Sequence, residues 1–222
     1  MRRILLVLAA CLFATAANAQ LVTKAPSLYS TGPCTPTSCT GFYVGGMMAG
    51  NGTNADIVGS GLSGSVFAGG GIPSIVAGYQ FANGVYFAAA EVSIGWQIDV
   101  NTNTVASGAK VANTTETGYM AFEGAKVGMQ FAGILGSQSA PIGIPTALAA
   151  RLISPYIIIG AVERPFANGW STGAGATFDL SPTLFLDIRY MYINYGAGAV
   201  VNNIMFPSEN LVSVGLNYKF GF

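Results

Sequence analysis

The chain has 222 residues, of which 51% are hydrophobic and only 8% are charged, against about 25% charged in ordinary globular proteins. Nine basic and nine acidic residues give a formal net charge of zero, and no basic patch predicts a nucleic-acid partner. There is no histidine, which removes the commonest acid–base catalyst. We therefore expect no catalytic site, no bound cofactor and no enzyme activity.

The first residues predict export. The basic pair Arg2 and Arg3 precedes a short apolar run and a small-residue cleavage site that ends at Ala19, so residues 1–19 are predicted to be a signal peptide. The apolar run is shorter than the roughly 20 residues that a membrane-spanning helix needs. Cys11 in "LAAC" also fits a lipoprotein cleavage box, an alternative that the apolar residues after it disfavour.

Residues 20–40 are polar, contain three prolines and show no periodicity, which predicts a flexible periplasmic segment. Cys34 and Cys39 lie there in "CTPTSC", and such a pair in an exported chain is expected to form a disulfide. The spacing could also suggest a metal. With no histidine and no second cysteine pair, however, a zinc site would lack ligands, and we expect no metal.

From Gly41 the sequence alternates between apolar and small or polar residues, a pattern typical of strands whose two faces meet different environments. In Val85–Asp99, for example, Tyr86, Ile94 and Trp96 share one face, while Glu91 and Ser93 share the other. Eight strands are predicted, at about 41–50, 72–81, 85–98, 119–131, 155–164, 169–180, 183–195 and 210–222. These lengths suit strands that cross a membrane, which need about 9–11 residues.

The last segment, "LVSVGLNYKFGF", places Val212, Val214 and Leu216 on a face that would meet lipid. Ser213 and Gly215 would face the interior. Such a strand must pair with the first one, because an open sheet edge in hydrocarbon leaves backbone groups without hydrogen bonds. The predicted fold is all-β: an eight-stranded antiparallel up-and-down transmembrane β-barrel spanning residues 41–222.

The connections and the aromatic residues predict the orientation. Short turns at 82–84 and 181–183 should lie in the periplasm, and long polar loops at 51–71, 99–118 and 196–209 should lie outside. The link 132–154 is long for a periplasmic turn, and one or two helical turns are expected from Pro145. Two aromatic belts are expected at the two membrane interfaces. The outer belt is Trp96, Tyr119, Trp170 and Tyr192, and the periplasmic belt is Tyr79, Phe81, Tyr86, Phe131, Tyr156, Phe178, Tyr218 and Phe220.

Several segments resemble the strands of small outer-membrane β-barrel proteins, notably "TGFYVGGMMAG", "PYIIIGAVE", "GWSTGAGATFDLSPTLFLDIRYMYINYG" and the last strand. Within that group, the segments resemble alphaproteobacterial surface proteins akin to opacity proteins and the OmpA barrel. This resemblance implies an integral outer-membrane protein with outer-membrane lipid around it. It also implies a C-terminal signal, formed by Tyr218, Phe220 and Phe222, that the barrel-assembly machinery reads during insertion.

Five ionisable residues are predicted to face the lumen: Glu91, Lys126, Glu163, Asp187 and Arg189. They could form an ion path or a ligand site, but an eight-stranded barrel is just wide enough for side chains to fill, which favours a structural network of paired charges. Glu123 has the opposite parity to Lys126 and is expected at the outer interface.

A structural and surface role in the cell envelope is therefore the leading hypothesis. Two alternatives stay open. The small lumen-facing residues could leave room for a small non-specific porin, and the outer loops could form an adhesin or a ligand-binding surface. The sequence does not indicate an oligomeric state.

Overall fold

A computed structural model describes residues 39–57, 64–83, 86–106, 109–111, 117–130, 153–165, 167–181, 183–196, 200–201 and 204–221. These ranges contain ten strands: β1 (Gly41–Ile57), β2 (Gly64–Asn83), β3 (Tyr86–Ala106), β4 (Ala109–Val111), β5 (Thr117–Met129), β6 (Ile153–Glu163), β7 (Asn168–Asp179), β8 (Leu184–Asn194), β9 (Val200–Val201) and β10 (Ile204–Gly221). Eight are long, whereas β4 and β9 are short additions to β3 and β10. In the part of the chain so described, no helix is long and apolar enough to cross a membrane.

The eight long strands form a closed antiparallel barrel, as predicted. Each pairs with its neighbour in the chain, and β1 pairs with β10 from Gly41 opposite Gly221 to Ile57 opposite Ile204. The register fixes the stagger: a row of paired residues that leaves β10 at Glu209 returns to it ten residues later, at Lys219. Such a stagger tilts strands by roughly 35–45° and leaves an interior that side chains can fill.

Inward and outward positions alternate along each long strand. In β10, Ser213 and Asn217 are each 1% exposed, whereas Val214 is 46% exposed between them. In β3, Glu91 and Ser93 are buried while Ile94 and Trp96 are exposed. The parity that the sequence predicts for these two strands is therefore confirmed.

The strands run further at the outer end than the sequence predicts. Segments 51–71, 99–118 and 196–209 are largely strand, because β1, β2, β3 and β10 continue into them and stay paired. Glycine and asparagine give little local signal for a strand, but a neighbouring strand still supplies hydrogen-bond partners. The tips of these loops and the predicted helical turns after Pro145 lie outside the described residues.

Several glycines on the inner face of the barrel lie directly against aromatic rings. A Cβ atom on Gly128 would lie 2.5 Å from Cε1 of Phe87, and one on Gly160 would lie 2.5 Å from Cε2 of Phe122. The ring of Tyr43 would block a Cβ at Gly78 in the same way. Glycine in a strand often marks such a close approach. These small residues therefore make room for large neighbours rather than for a channel.

Replacing Gly128 with alanine should lower the free energy of unfolding by about 1–3 kcal/mol, because the added methyl group overlaps the Phe87 ring. Urea titration of the barrel refolded in lipid vesicles would measure the change. Gly46→Ala is the matched control, since a Cβ there meets nothing within 4 Å. Equal effects of the two substitutions would contradict the close packing of Phe87 on Gly128.

Candidate functional site

Four charged side chains meet in the middle of the lumen, and we name them the lumen network: Glu91 on β3, Lys126 on β5, and Asp187 and Arg189 on β8. Lys126 Nζ lies 2.5 Å from Glu91 Oε2 and 2.7 Å from Asp187 Oδ2. Arg189 Nη1 lies 2.5 Å from Glu91 Oε1, and Arg189 Nη2 lies 2.8 Å from Asp187 Oδ2. Each cation thus contacts both carboxylates, and the four formal charges cancel.

Two tyrosines complete the lumen network. Tyr43 Oη on β1 donates a 2.8 Å hydrogen bond to Glu91 Oε2, and Tyr156 Oη on β6 donates to Asp187 Oδ1. Lys126 Nζ lies 4.8 Å from the centroid of the Tyr156 ring, within cation–π range. Side chains from five strands therefore meet across the lumen.

The prediction that Tyr156 belongs to the periplasmic aromatic belt is wrong, because its side chain points inward and is buried. The cause is β6 itself, in which Ile157, Ile158 and Ile159 are all apolar. Its inward and outward faces therefore look alike in the sequence.

The prediction that Glu163 joins the lumen charges is also wrong. The neighbouring Val162 is buried, so Glu163 has outward parity, and its carboxylate accepts a 3.3 Å hydrogen bond from Tyr119 Oη. The next residue, Arg164, points inward instead, and sequence reasoning missed it. The other four predicted lumen residues come together in the lumen network.

A second set of polar side chains lies nearer the outer end of the lumen, and we name it the outer cluster. Glu209 on β10 is fully buried and forms an ion pair with Arg164. Its carboxylate also accepts hydrogen bonds from Tyr195 Oη at 2.8 Å and from Asn51 Nδ2 at 2.6 Å. Asn51 and Glu209 fall in segments predicted to be loops, which is why sequence reasoning did not find the outer cluster.

The periplasmic end of the lumen is also occupied. Cys39 is buried, and its backbone oxygen accepts hydrogen bonds from Lys219 Nζ and, at 3.5 Å, from Gln80 Nε2. Thr40 Oγ1 accepts a 3.1 Å hydrogen bond from the Ala82 amide. The end of the predicted flexible segment 20–40 is therefore held by the barrel. Cys39 is disulfide-bonded, and its pairing with Cys34 stays a prediction because Cys34 lies outside the described residues.

The outer surface is apolar and carries aromatic residues at both ends. At the outer end, Trp96 is paired with Tyr119, and the ring centroids of Trp170 and Tyr192 lie 6.2 Å apart. At the periplasmic end, Phe42 packs on Tyr79 at 4.7 Å and Tyr218 packs on Phe220 at 5.0 Å. Between the belts lie exposed side chains such as Met48, Ile75, Ile94, Ile157, Ile159, Val212 and Val214. Phe131 and Phe222 lie outside the described residues.

A closed barrel with this surface satisfies its backbone hydrogen bonds internally and presents hydrocarbon to its surroundings. The interior of the described barrel is packed with aromatic and aliphatic side chains and with neutralised charges. These two features define an integral membrane β-barrel whose lumen is a core.

Similar solved structures include neisserial surface protein A, with 19% identity and a TM-score of 0.43 over 82% of this chain and 99% of that one. OprG from Pseudomonas aeruginosa gives 9% identity and a TM-score of 0.43 over 85% and 100%. Ail from Yersinia pestis, in complex with a heparin analogue, gives 12% identity and a TM-score of 0.40 over 81% of this chain and 99% of that one. No protein-family model and no curated protein matches the chain. Likeness at this level assigns neither a family nor a function.

Proposed function

We propose that the protein is a non-enzymatic integral outer-membrane protein with a structural and surface role in the cell envelope. The observation that carries this proposal is the sealed middle of the lumen. Each charged side chain of the lumen network is at most 3% exposed and is held by oppositely charged neighbours. Separating these buried pairs would leave uncompensated charges, so the charges are held against one another and do not line a water-filled path.

The outer membrane is the proposed location because closed barrels with two aromatic girdles are the architecture of that membrane. The predicted signal peptide, residues 1–19, supports export. The aromatic end of β10 supports insertion by the barrel-assembly machinery, with Tyr218, Phe220 and Phe222 as the proposed signal. The resemblance to alphaproteobacterial surface proteins supports the same role.

A role in binding at the cell surface is the second candidate. It is favoured by the four strands β1, β2, β3 and β10, which continue past the level of the outer belt; β3, for example, runs ten residues beyond Trp96 to Ala106. Paired strands of this length would hold the connecting loops above the membrane. A small non-specific porin is disfavoured, because lumen-facing glycines lie against neighbouring side chains, such as Gly175 against Tyr156 and Gly173 against Met191.

Conductance across a planar lipid bilayer tests the sealed lumen. Purified, refolded protein should insert without discrete current steps, while a large porin in the same membrane serves as the positive control. Discrete steps that scale with the amount of protein would contradict the structural role and favour the porin. Fractionation of cells tests the location, and recovery of the protein in the soluble periplasmic fraction would contradict membrane insertion.

A further inference from the structure

One ionisable side chain on the outer surface has no partner among the described residues. Glu123 lies on the outward face of β5, and no hydrogen bond or ion pair reaches its carboxylate there. In the register of the sheet, Glu123 lies opposite Val92 on β3 and Ala161 on β6. The next outward residues on β5 are Ala121 and Ala125. These nearest outward residues are all apolar, and the next ionisable group on this face is Glu163, which is paired with Ala121.

Glu123 lies deeper than the outer interface at which the sequence places it. It is four residues along β5 from Tyr119 of the outer belt, a distance of roughly 13 Å along the strand and about 10 Å along the barrel axis once the tilt is included. The apolar band of such barrels is about 25 Å tall. Glu163, in contrast, lies close to the belt and accepts a hydrogen bond from Tyr119 Oη. Glu123 is thus within the lipid-facing band.

Ionisable residues in this environment are costly and mark functional contacts, usually with a group that neutralises them. The described basic residues are not placed to serve. Lys126, Arg164, Arg189 and Lys219 project into the lumen. Lys110 on β4 is paired with Val105, nine residues beyond Trp96 of the outer belt. A second copy of the described barrel would likewise bring no cation to Glu123. Since no cation of the described ranges is placed to neutralise Glu123, a basic group on a different molecule is the candidate.

The surroundings of Glu123 would allow such a molecule to approach. Ala121, Ala125 and Ala161 are small, and small residues let membrane-embedded segments pack closely. On the opposite side of the barrel, β10 presents the larger Val214, Leu216 and other apolar groups. The two sides thus differ in shape as well as in charge.

We propose that Glu123 is the centre of a docking surface for a membrane-embedded partner segment that carries a lysine or an arginine at matching depth. This inference rests on the membrane location proposed above. The partner's cation would pair with the Glu123 carboxylate, and its backbone would lie against Ala121, Ala125 and Ala161. Charge complementarity selects this partner over a second copy of the chain.

Site-specific photo-crosslinking in intact cells tests the docking surface. A photoreactive residue at Ala125 should give an adduct with a protein whose cross-linked segment is apolar and contains a lysine or arginine, as identified by mass spectrometry. The same residue at Val214, on the opposite side, is the control and should give no such adduct. Glu123→Leu should reduce the adduct by about tenfold or more, because one partner of a desolvated charge pair is lost.

Two further variants separate pairing from packing. Glu163→Gln should retain the adduct, since Glu163 lies at the belt. Glu123→Lys should abolish it, and reversal of the partner's basic residue to glutamate should restore it. In isolated barrels refolded without the partner, Glu123→Leu should raise the urea midpoint, because the unpaired carboxylate is removed from lipid.

The remaining outcomes overturn the proposal. These are an adduct with lipid alone, an adduct with a second copy of the chain, or an adduct whose yield Glu123→Leu leaves unchanged. Fractionation of the same cells distinguishes the two levels of failure. Protein found in the outer membrane without an adduct refutes the docking surface alone, whereas protein absent from that membrane refutes the proposed location as well.

Discussion

Replacing Arg189 with leucine is expected to lower the free energy of unfolding by about 3–5 kcal/mol, because it leaves two buried carboxylates to share one cation. Glu91 would lose its contact at 2.5 Å and Asp187 its contact at 2.8 Å, with only Lys126 left between them. Urea titration of the refolded barrel would measure the loss. Glu163→Gln is the matched control and should change stability by no more than about 0.5 kcal/mol, since Glu163 lies outside the lumen.

A double substitution separates charge from packing. Arg189→Leu combined with Glu91→Leu removes one charge of each sign and leaves the pair of Lys126 and Asp187, at 2.7 Å. The double variant should therefore be clearly less destabilised than the sum of the two single variants. Losses that simply add would show that packing, rather than charge neutralisation, accounts for the effect of Arg189.

The second large effect is expected on the outer surface. Val214→Arg should lower the free energy of unfolding by about 2–4 kcal/mol, because it places a charge in the middle of the lipid-facing band. Val214 is exposed, and its neighbours along that face of β10 are Val212 and Leu216. Asn168→Arg, at the outward-facing start of β7, is the control and should cost about 0–1 kcal/mol. If Val214→Arg and Asn168→Arg lower the free energy of unfolding equally in lipid vesicles, the assignment of this face to lipid is contradicted.

The sequence predicts the barrel well where neighbouring residues differ strongly in polarity. In β3 and β10, apolar residues alternate with small or polar ones, so the environment of each side chain follows from its parity. Asp187 and Arg189 lie two residues apart on one strand and therefore share the lumen face. Their contacts with Glu91 and Lys126 depend on the stagger of the barrel, which parity alone does not determine.

The same reasoning fails where polarity does not alternate. Three successive isoleucines in β6 give no parity. The sequence predicts Glu163 inside and Tyr156 outside, and both predictions are wrong. The outer cluster was missed for a different reason. Glu209 and Asn51 lie in polar segments without a local strand signal, and only their pairing with neighbouring strands keeps them extended.

Accessibility measured along β10 tests the central claim most directly. Single spin labels would be placed at each position from 211 to 220, in a variant that lacks the native cysteines, and collisions with oxygen and with a polar nickel reagent would be compared in lipid vesicles. Spin labels at even positions such as 214 should collide with oxygen but not with the nickel reagent. Labels at odd positions such as 213 should collide with neither. Odd positions open to the nickel reagent would reveal a water-filled lumen, and even positions open to it would show that this face does not meet lipid.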